Sequence, residues 1–292
     1  MYNPKVSIII PVYNWANYVS EAIESALNQT YKNIEILVIN DWSNDNWETE
    51  KVIKNFWDRV VYIPKENWWV ASALNLWIKK MTWEYFSWLS HDDLYFETKV
   101  EEQINFLSTL ENKKNVIPFS NYIFVNEIWK EINKIDIIYK PNSLLYKLLI
   151  NSFMNWCTLL IPKEAFEKVW VFENELKTTQ DYHLWFRMMK EFKFINVPKY
   201  LVKSRQHWEQ DSKTKIFKAM VERKDLENFI FKTFSLEELK ESAESRLPNF
   251  LFYIITKIKL EKYRVLWFLY LIAQKLHIDL FLAKIYRKIF KF

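Results

Sequence analysis

The apolar positions of this chain keep two rhythms that alternate from the N-terminus onward. Val6–Pro11 (VSIIIP) is a continuous apolar, β-branched run, and Ile34–Ile39 (IEILVI) is nearly one, which predicts strands buried on both faces. Val60–Pro64 and Tyr85–Leu89 predict a third and a fourth strand. Between them, helical spacing predicts helices over 16–27, 48–55 and 70–81, followed by one over 96–110. Strands alternating with helices at this interval predict βαβ units and a mainly parallel sheet. Right-handed crossovers then bring the loops after each strand to one edge. That edge collects Tyr13-Asn14, Asp41, Asn67 and the adjacent carboxylates Asp92-Asp93.

The second half continues with a strand over 116–125, a hairpin-like turn over 126–133 and an amphipathic helix over 143–150. A strand over 157–161, a short helix over 163–168 and a helix over 180–191 follow, the last with Asp181 in its first turn. Two short strands, 194–197 and 200–203, lead to SRQHWEQDS. We expect one domain over 1–212, with one part to about 115 and a second over 116–212, and a helical extension over 213–292.

Charge adds one thing to this picture. The net +5 is concentrated at the end: 251–292 carries +7, which leaves −2 on 1–250. Ile278, Leu282, Ile285, Ile289 and Phe292 trace one helical face, with Lys284, Arg287, Lys288 and Lys291 largely opposite. A basic amphipathic helix with aromatic anchors suits an anionic membrane surface, or packs its apolar face on protein. No nucleic-acid partner is expected. The single cysteine, Cys157, excludes an internal disulfide and, on its apolar stretch, reads as core. The N-terminus lacks the features of a signal peptide, so a cytoplasmic location is expected, peripheral on the inner face of the membrane if the tail binds there.

Composition adds an anomaly. The chain has no glycine and fifteen tryptophans, where a usual glycine share of about 7% would give roughly twenty. Many tryptophans stand where glycine chemistry is needed, as in DWSND and ENWW. We expect glycine, written through a reassigned codon such as UGA, at positions 15, 42, 68, 69, 77, 83, 129, 156, 170 and 208. Trp88 and Trp185, on regular apolar stretches, read as true tryptophans, and Trp47, Trp57 and Trp267 stay open.

The segments VSIIIPVYN, INDWSND, ENWWVASALNLWI, FSWLSHDD and TTQDYHLWFRM, in this order over residues 4–212, resemble the inverting glycosyltransferases of family 2, with the GT-A fold. Glycine at the suspect tryptophans sharpens each match. The resemblance implies an α/β, Rossmann-like, mainly parallel sheet flanked by helices, with a C-terminal helical extension. It implies a nucleoside diphosphate sugar donor, bound by a nucleotide-sugar part to about residue 115, and a glycan or lipid-linked acceptor, met by an acceptor part over 116–212. Pro11, Tyr13 and Asn67 would line the donor pocket, and Asp41 would accept from the nucleotide base. Asp92 would hold Mg²⁺ or Mn²⁺, with Asp93 a second ligand or a partner of the first. Asp181 would be the general base. His207 and Gln210 match a loop that closes over the diphosphate, with His207 a further metal ligand and Arg205 a phosphate partner. Two departures stand out: Ser90 replaces the first Asp of the metal motif, and Leu74 an expected Arg. From the residues alone, an Asp-Asp pair also reads as a polar turn capping the next helix. Two other classes stay in view. A nucleotidyltransferase would carry a glycine- and arginine-rich first loop, unlike PVYNWANYV; a non-catalytic sugar-nucleotide binder would not need Asp41, Asp92 and Asp181 together.

Overall fold

The computed structural model describes residues 2–275 apart from 65–70, 72–73, 76–77, 79–82, 141, 152, 170 and 211–214. The chain divides into two compact units, 1–137 with 154–207, and 138–153 with 208–292. Residues 138–153, read above as part of the first domain, fall in the second unit.

The strands of the first unit are β1 (Val6–Val12), β2 (Ile34–Asn40), β3 (Val61–Pro64), β4 (Tyr85–Trp88), β5 (Leu94–Tyr95), β6 (Val116–Val125), β7 (Glu131–Ile135), β8 (Ile161–Pro162) and β9 (Lys193–Arg205). Five form one sheet in the order β3-β2-β1-β4-β8. β1 is parallel to both neighbours, with Val6 opposite Ile34 on one side and Tyr85 on the other. Every residue of β1 is buried, as its apolar run requires. Burying an isoleucine such as Ile8, Ile9 or Ile10 contributes about 1.5–3 kcal/mol. The strand order reverses between β1 and β4, and in open α/β sheets the crevice beyond the strand ends at such a reversal is where ligands bind.

The second sheet runs β5-β9-β6-β7. Its centre is the parallel pair β6–β9, whose register shifts between Ser120 and Tyr122. β6 and β7 form the expected hairpin, with Trp129 in the left-handed region at φ 63°.

Local chemistry changed several elements. The strand expected over 157–161 is a 3-10 turn, Trp156–Thr158, followed by the two residues of β8. The Asn155 side chain accepts from the Cys157 N–H and its carbonyl accepts from Thr158, which folds the segment into a turn. The helix expected over 96–110 is Lys99–Ser108, because Phe96 still bonds across to Leu201. The two short strands expected near 200 are one, β9.

In the second unit, helix Leu144–Asn151 packs against helices Leu236–Ser242 and Asn249–Lys275. The Tyr146 N–H donates to Ser242 Oγ (2.9 Å), and the Tyr146 ring lies 5.6 Å from Phe252. Helix Leu236–Ser242 opens on a capping box of Ser235 and Glu238. Among the described residues no helix is long and apolar enough to cross a membrane. The basic tail face at 278–292 lies outside the described residues.

Candidate functional site

One side of the crevice is built where β1 and β2 end. The Asp41 N–H donates to the Val12 carbonyl (2.9 Å), extending the ladder by one residue and leaving Asp41 buried at the strand end. Pro11 is buried in β1, and Tyr13 stands 38% exposed just after it. The two loops hold each other through Asn14. Its N–H donates to Ser43 Oγ (2.9 Å), its side-chain amide donates to Asn44 Oδ1 (2.6 Å), and Asn44 N–H donates back to Asn14 Oδ1 (2.7 Å). Asn14, Trp42, Asn46 and Trp47 all have φ between 54° and 68°. Trp42 and Trp47 are 59% and 69% exposed. These are conformations that glycine adopts freely and a bulky residue does not. Asn67, Trp68, Trp69, Trp77 and Trp170 lie outside the described residues.

The second side is the turn after β4. Leu89 N–H donates to the Ile9 carbonyl, and Asp93 N–H to the Ser90 carbonyl, so Ser90–Asp93 folds tightly at the strand end. The two adjacent carboxylates meet different surroundings. Asp92 Oδ2 is 3.0 Å from His207 Nε2. Asp93 Oδ1 accepts from the Arg205 N–H (2.9 Å) and Oδ2 from the Cys157 thiol (3.3 Å). Burial acts to raise the Asp92 pKa, but the His207 bond and the nearby His91 and His207 together hold it below the ordinary value. Burial, then the Asp92 charge, pushes Asp93 up to about 8. The two shifts run in opposite directions, favouring the charged form at Asp92 and the protonated form at Asp93. Both Asp93 oxygens are engaged inside the protein, which ties its carboxylate to the turn.

His207 follows the end of β9. Its ring lies 5.0 Å from Trp15 and 5.4 Å from Tyr18, and His91 stacks on Trp15 at 4.9 Å. Arg205 is 2% exposed. Its guanidinium carbon lies 3.9 Å from the centre of the Tyr18 ring and 3.7 Å from that of the Trp129 ring, and the group pairs with Glu21 and donates through Nε to the Asp92 carbonyl (3.1 Å).

Asp181 lies in the first turn of helix Gln180–Met188 and is half-buried, its Oδ1 accepting from the Tyr182 N–H (2.8 Å). A run of rings connects this helix to β4: Tyr182 on Trp185 (4.6 Å), Trp185 on Trp156 (5.0 Å), and Trp156 on Trp88 (4.8 Å). Leu74 is fully buried, so the position lacking the expected Arg belongs to the core.

Three residues that the sequence did not single out support this turn. Asn155 holds the 3-10 turn that presents Cys157, Glu21 meets Arg205, and Lys99 lies beneath β4. Lys99 Nζ donates to Ser87 Oγ (2.6 Å) and the Leu159 carbonyl (3.2 Å), and burial pushes it down to about 7.

Among the described residues no group of three His, Cys, Asp or Glu is placed to hold a metal. Mg²⁺ commonly takes only one or two protein carboxylates and completes its shell with water and substrate phosphates. Charged Asp92, with His207 beside it, fits that smaller donor set.

Residues 7–170 match the family described as glycosyl transferase family 2. That span contains Pro11, Tyr13, Asp41, Asn67, Asp92 and Asp93, but not Asp181, Arg205 or His207. A relative from Rickettsia prowazekii, named as an uncharacterized glycosyltransferase, is 44% identical over 243 residues, 82% of this chain and 75% of its own. Relatives from Rickettsia felis and Rickettsia conorii are 47% and 46% identical over 217 residues, 73% of this chain, and the chain spans only 36% of their length. The minor teichoic acid biosynthesis protein GgaB of Bacillus subtilis is 26% identical over 271 residues, 87% of this chain and 29% of its own. The mannosyltransferase PcManGT of Pyrobaculum calidifontis, solved with GDP-Man and Mn²⁺, shares the fold at a TM-score of 0.56 and 16% identity, over 94% of this chain and 87% of its own.

Proposed function

The chain belongs to glycosyl transferase family 2, and from that premise we propose that it moves a sugar from a nucleoside diphosphate donor to an acceptor hydroxyl, with inversion at the anomeric carbon. The observation that carries this reading is the Asp92–His207 pair at the strand-order reversal, with Asp41 at the end of a neighbouring strand. Asp41 accepts a hydrogen bond from the nucleotide base, as a carboxylate does from a ring N–H. Pro11, Tyr13 and Asn67 line the donor pocket. Asp92 and His207 would hold Mg²⁺ or Mn²⁺, which when bound would supply charge neutralisation for the diphosphate leaving group. Asp181 takes the proton of the acceptor hydroxyl as its oxygen bonds to the anomeric carbon and the bond to the diphosphate breaks. The Tyr182 N–H orients that carboxylate. Two relatives support the substrate classes: the solved complex holds a nucleotide sugar and Mn²⁺, and GgaB is named for teichoic acid synthesis, so the acceptor we propose is a cell-surface glycan or its lipid-linked precursor.

Purified protein given a panel of nucleotide sugars, with Mn²⁺ or with EDTA, tests this. We expect metal-dependent hydrolysis of one donor. Asp92→Ala should abolish metal-dependent donor binding, and Asp181→Asn should spare binding while lowering turnover by about 10²–10⁴. Normal turnover in Asp181→Asn removes it as the base, and a protein that hydrolyses no donor is a non-catalytic relative.

The proposal extends to an anionic membrane surface contacted by the basic segment 276–292. Support comes from the preceding helix Asn249–Lys275, whose Phe250, Ile254, Ile258 and Val265 lie on one exposed face. The full chain should pellet with anionic liposomes at low salt and lose this on deletion of 276–292; if both stay in the supernatant, the idea fails.

A further inference from the structure

We infer that Arg205 and Glu21 are positioning residues that hold the Asp92–His207 pair in register. Their part in donor chemistry is indirect: Arg205 braces the turn and does not touch the diphosphate. This rests on the function proposed above and adds to it residues far from the metal motif.

Arg205 reaches the turn at two points. Its main-chain N–H fixes the Asp93 carboxylate, and its Nε–H fixes the Asp92 carbonyl. A further guanidinium N–H reaches the Glu127 carbonyl (3.4 Å), and another pairs with Glu21. The guanidinium carbon also sits over the ring of Tyr18, 3.9 Å from its centre. A planar cation stacked on a ring and hydrogen-bonded around its edge is held in place. A phosphate oxygen would gain it only by displacing these partners. Two residues further along the chain, His207 faces Asp92 Oδ2. One side chain therefore sets both halves of the pair: the backbone that carries Asp92 and the strand end that carries His207. Glu21 orients that side chain from helix Val19–Leu27, and its own side chain is 39% exposed, so it can be altered without opening the core.

Glu21→Gln and Arg205→Lys in the full chain test this, with Mn²⁺ alone and UDP or GDP alone as probes. Hydrogen exchange followed by mass spectrometry should show faster uptake in peptides covering 90–95 and 204–207, with β1 and β2 unchanged. A merely weakened fold would speed exchange throughout. Direct Mn²⁺ titration should show affinity falling about 5–10-fold in both variants, with nucleotide binding in EDTA unchanged. Unchanged exchange and unchanged Mn²⁺ affinity overturn the brace. So does an Arg205→Lys protein that loses nucleotide binding in EDTA while Glu21→Gln behaves as wild type, since that marks a phosphate contact. If the wild type binds neither Mn²⁺ nor nucleotide, the transferase reading itself has failed, and the exchange data still report on the brace.

Discussion

The two sides of the crevice are built on opposite principles. On the β1–β2 side, four residues take left-handed backbone angles and two large aromatic side chains lie exposed. The loops there are joined mainly by polar side chains near solvent. Across Ser90–Asp93 on the other side no residue has a positive φ, both carboxylates are buried, and each is held by a named partner. One side is shaped by backbone conformation and the other by side-chain chemistry. The kind of substitution that matters should therefore differ between them.

The largest effect should come from removing the buried carboxylate of the second side. Asp93→Leu strands the Arg205 N–H and the Cys157 thiol, and should cost about 2–4 kcal/mol in urea unfolding. Asp93→Asn keeps an acceptor and should cost less than half as much. Equal losses in the two variants would mean that shape, not hydrogen bonding, holds the turn.

Next comes Lys99, bonded to Ser87 of β4 just before that turn. Its folded pKa is about 7, against an ordinary 10.5. Between these values the unfolded chain binds the proton and the folded one does not, so this group makes stability rise with pH over that window. Relative to Lys99→Met, wild type should gain at most about 1.4 kcal/mol per pH unit from pH 7 upward. A constant difference from pH 7 to 10 would show that Lys99 does not titrate in this way.

The smallest effect belongs to the first side and has the opposite sign. Trp42→Gly should relieve the left-handed strain at φ 61° and stabilise by about 1 kcal/mol, seen as a melting point about 2–4 °C higher. Peptide mass spectrometry of protein from its source should find glycine at positions 42, 68 and 69 and tryptophan at 88 and 185. Tryptophan at all five would end the codon reading. The buried indoles do not decide it. The N–H groups of Trp83 and Trp156 lack a partner in the structure, and so do those of Trp88 and Trp185.

What could be read in advance followed the length scale of each signal. β1, β2 and β4 announce themselves because a buried parallel strand must be apolar over consecutive residues. Asp41 and Asp92 follow from lying at the ends of those runs. Trp129 at the hairpin tip was legible as a glycine-like position, and the structure gives it φ 63°. The different fates of Asp92 and Asp93 were not legible, because they depend on His207 and Cys157, 115 and 64 residues away. Cys157 gave an apolar signal, and it is buried as expected, but nothing local says that its thiol meets a carboxylate. Glu21 and Arg205 are 184 residues apart, and neither sits in a pattern that calls for the other. The turn at Trp156–Thr158 was hidden because an Asn side chain overrode an apolar run.

The second unit takes helix Leu144–Asn151 from the middle of the chain and its packing partners from beyond residue 208. On a ribosome that helix emerges well before helix Leu236–Ser242, against which it packs. At roughly 5–20 residues per second the interval is on the order of ten seconds. During that time Leu148 and Leu149, fully buried in the finished protein, have nothing to cover them. Newly made chains should therefore be most open to chaperones and proteases near this helix, well after the first strands have paired.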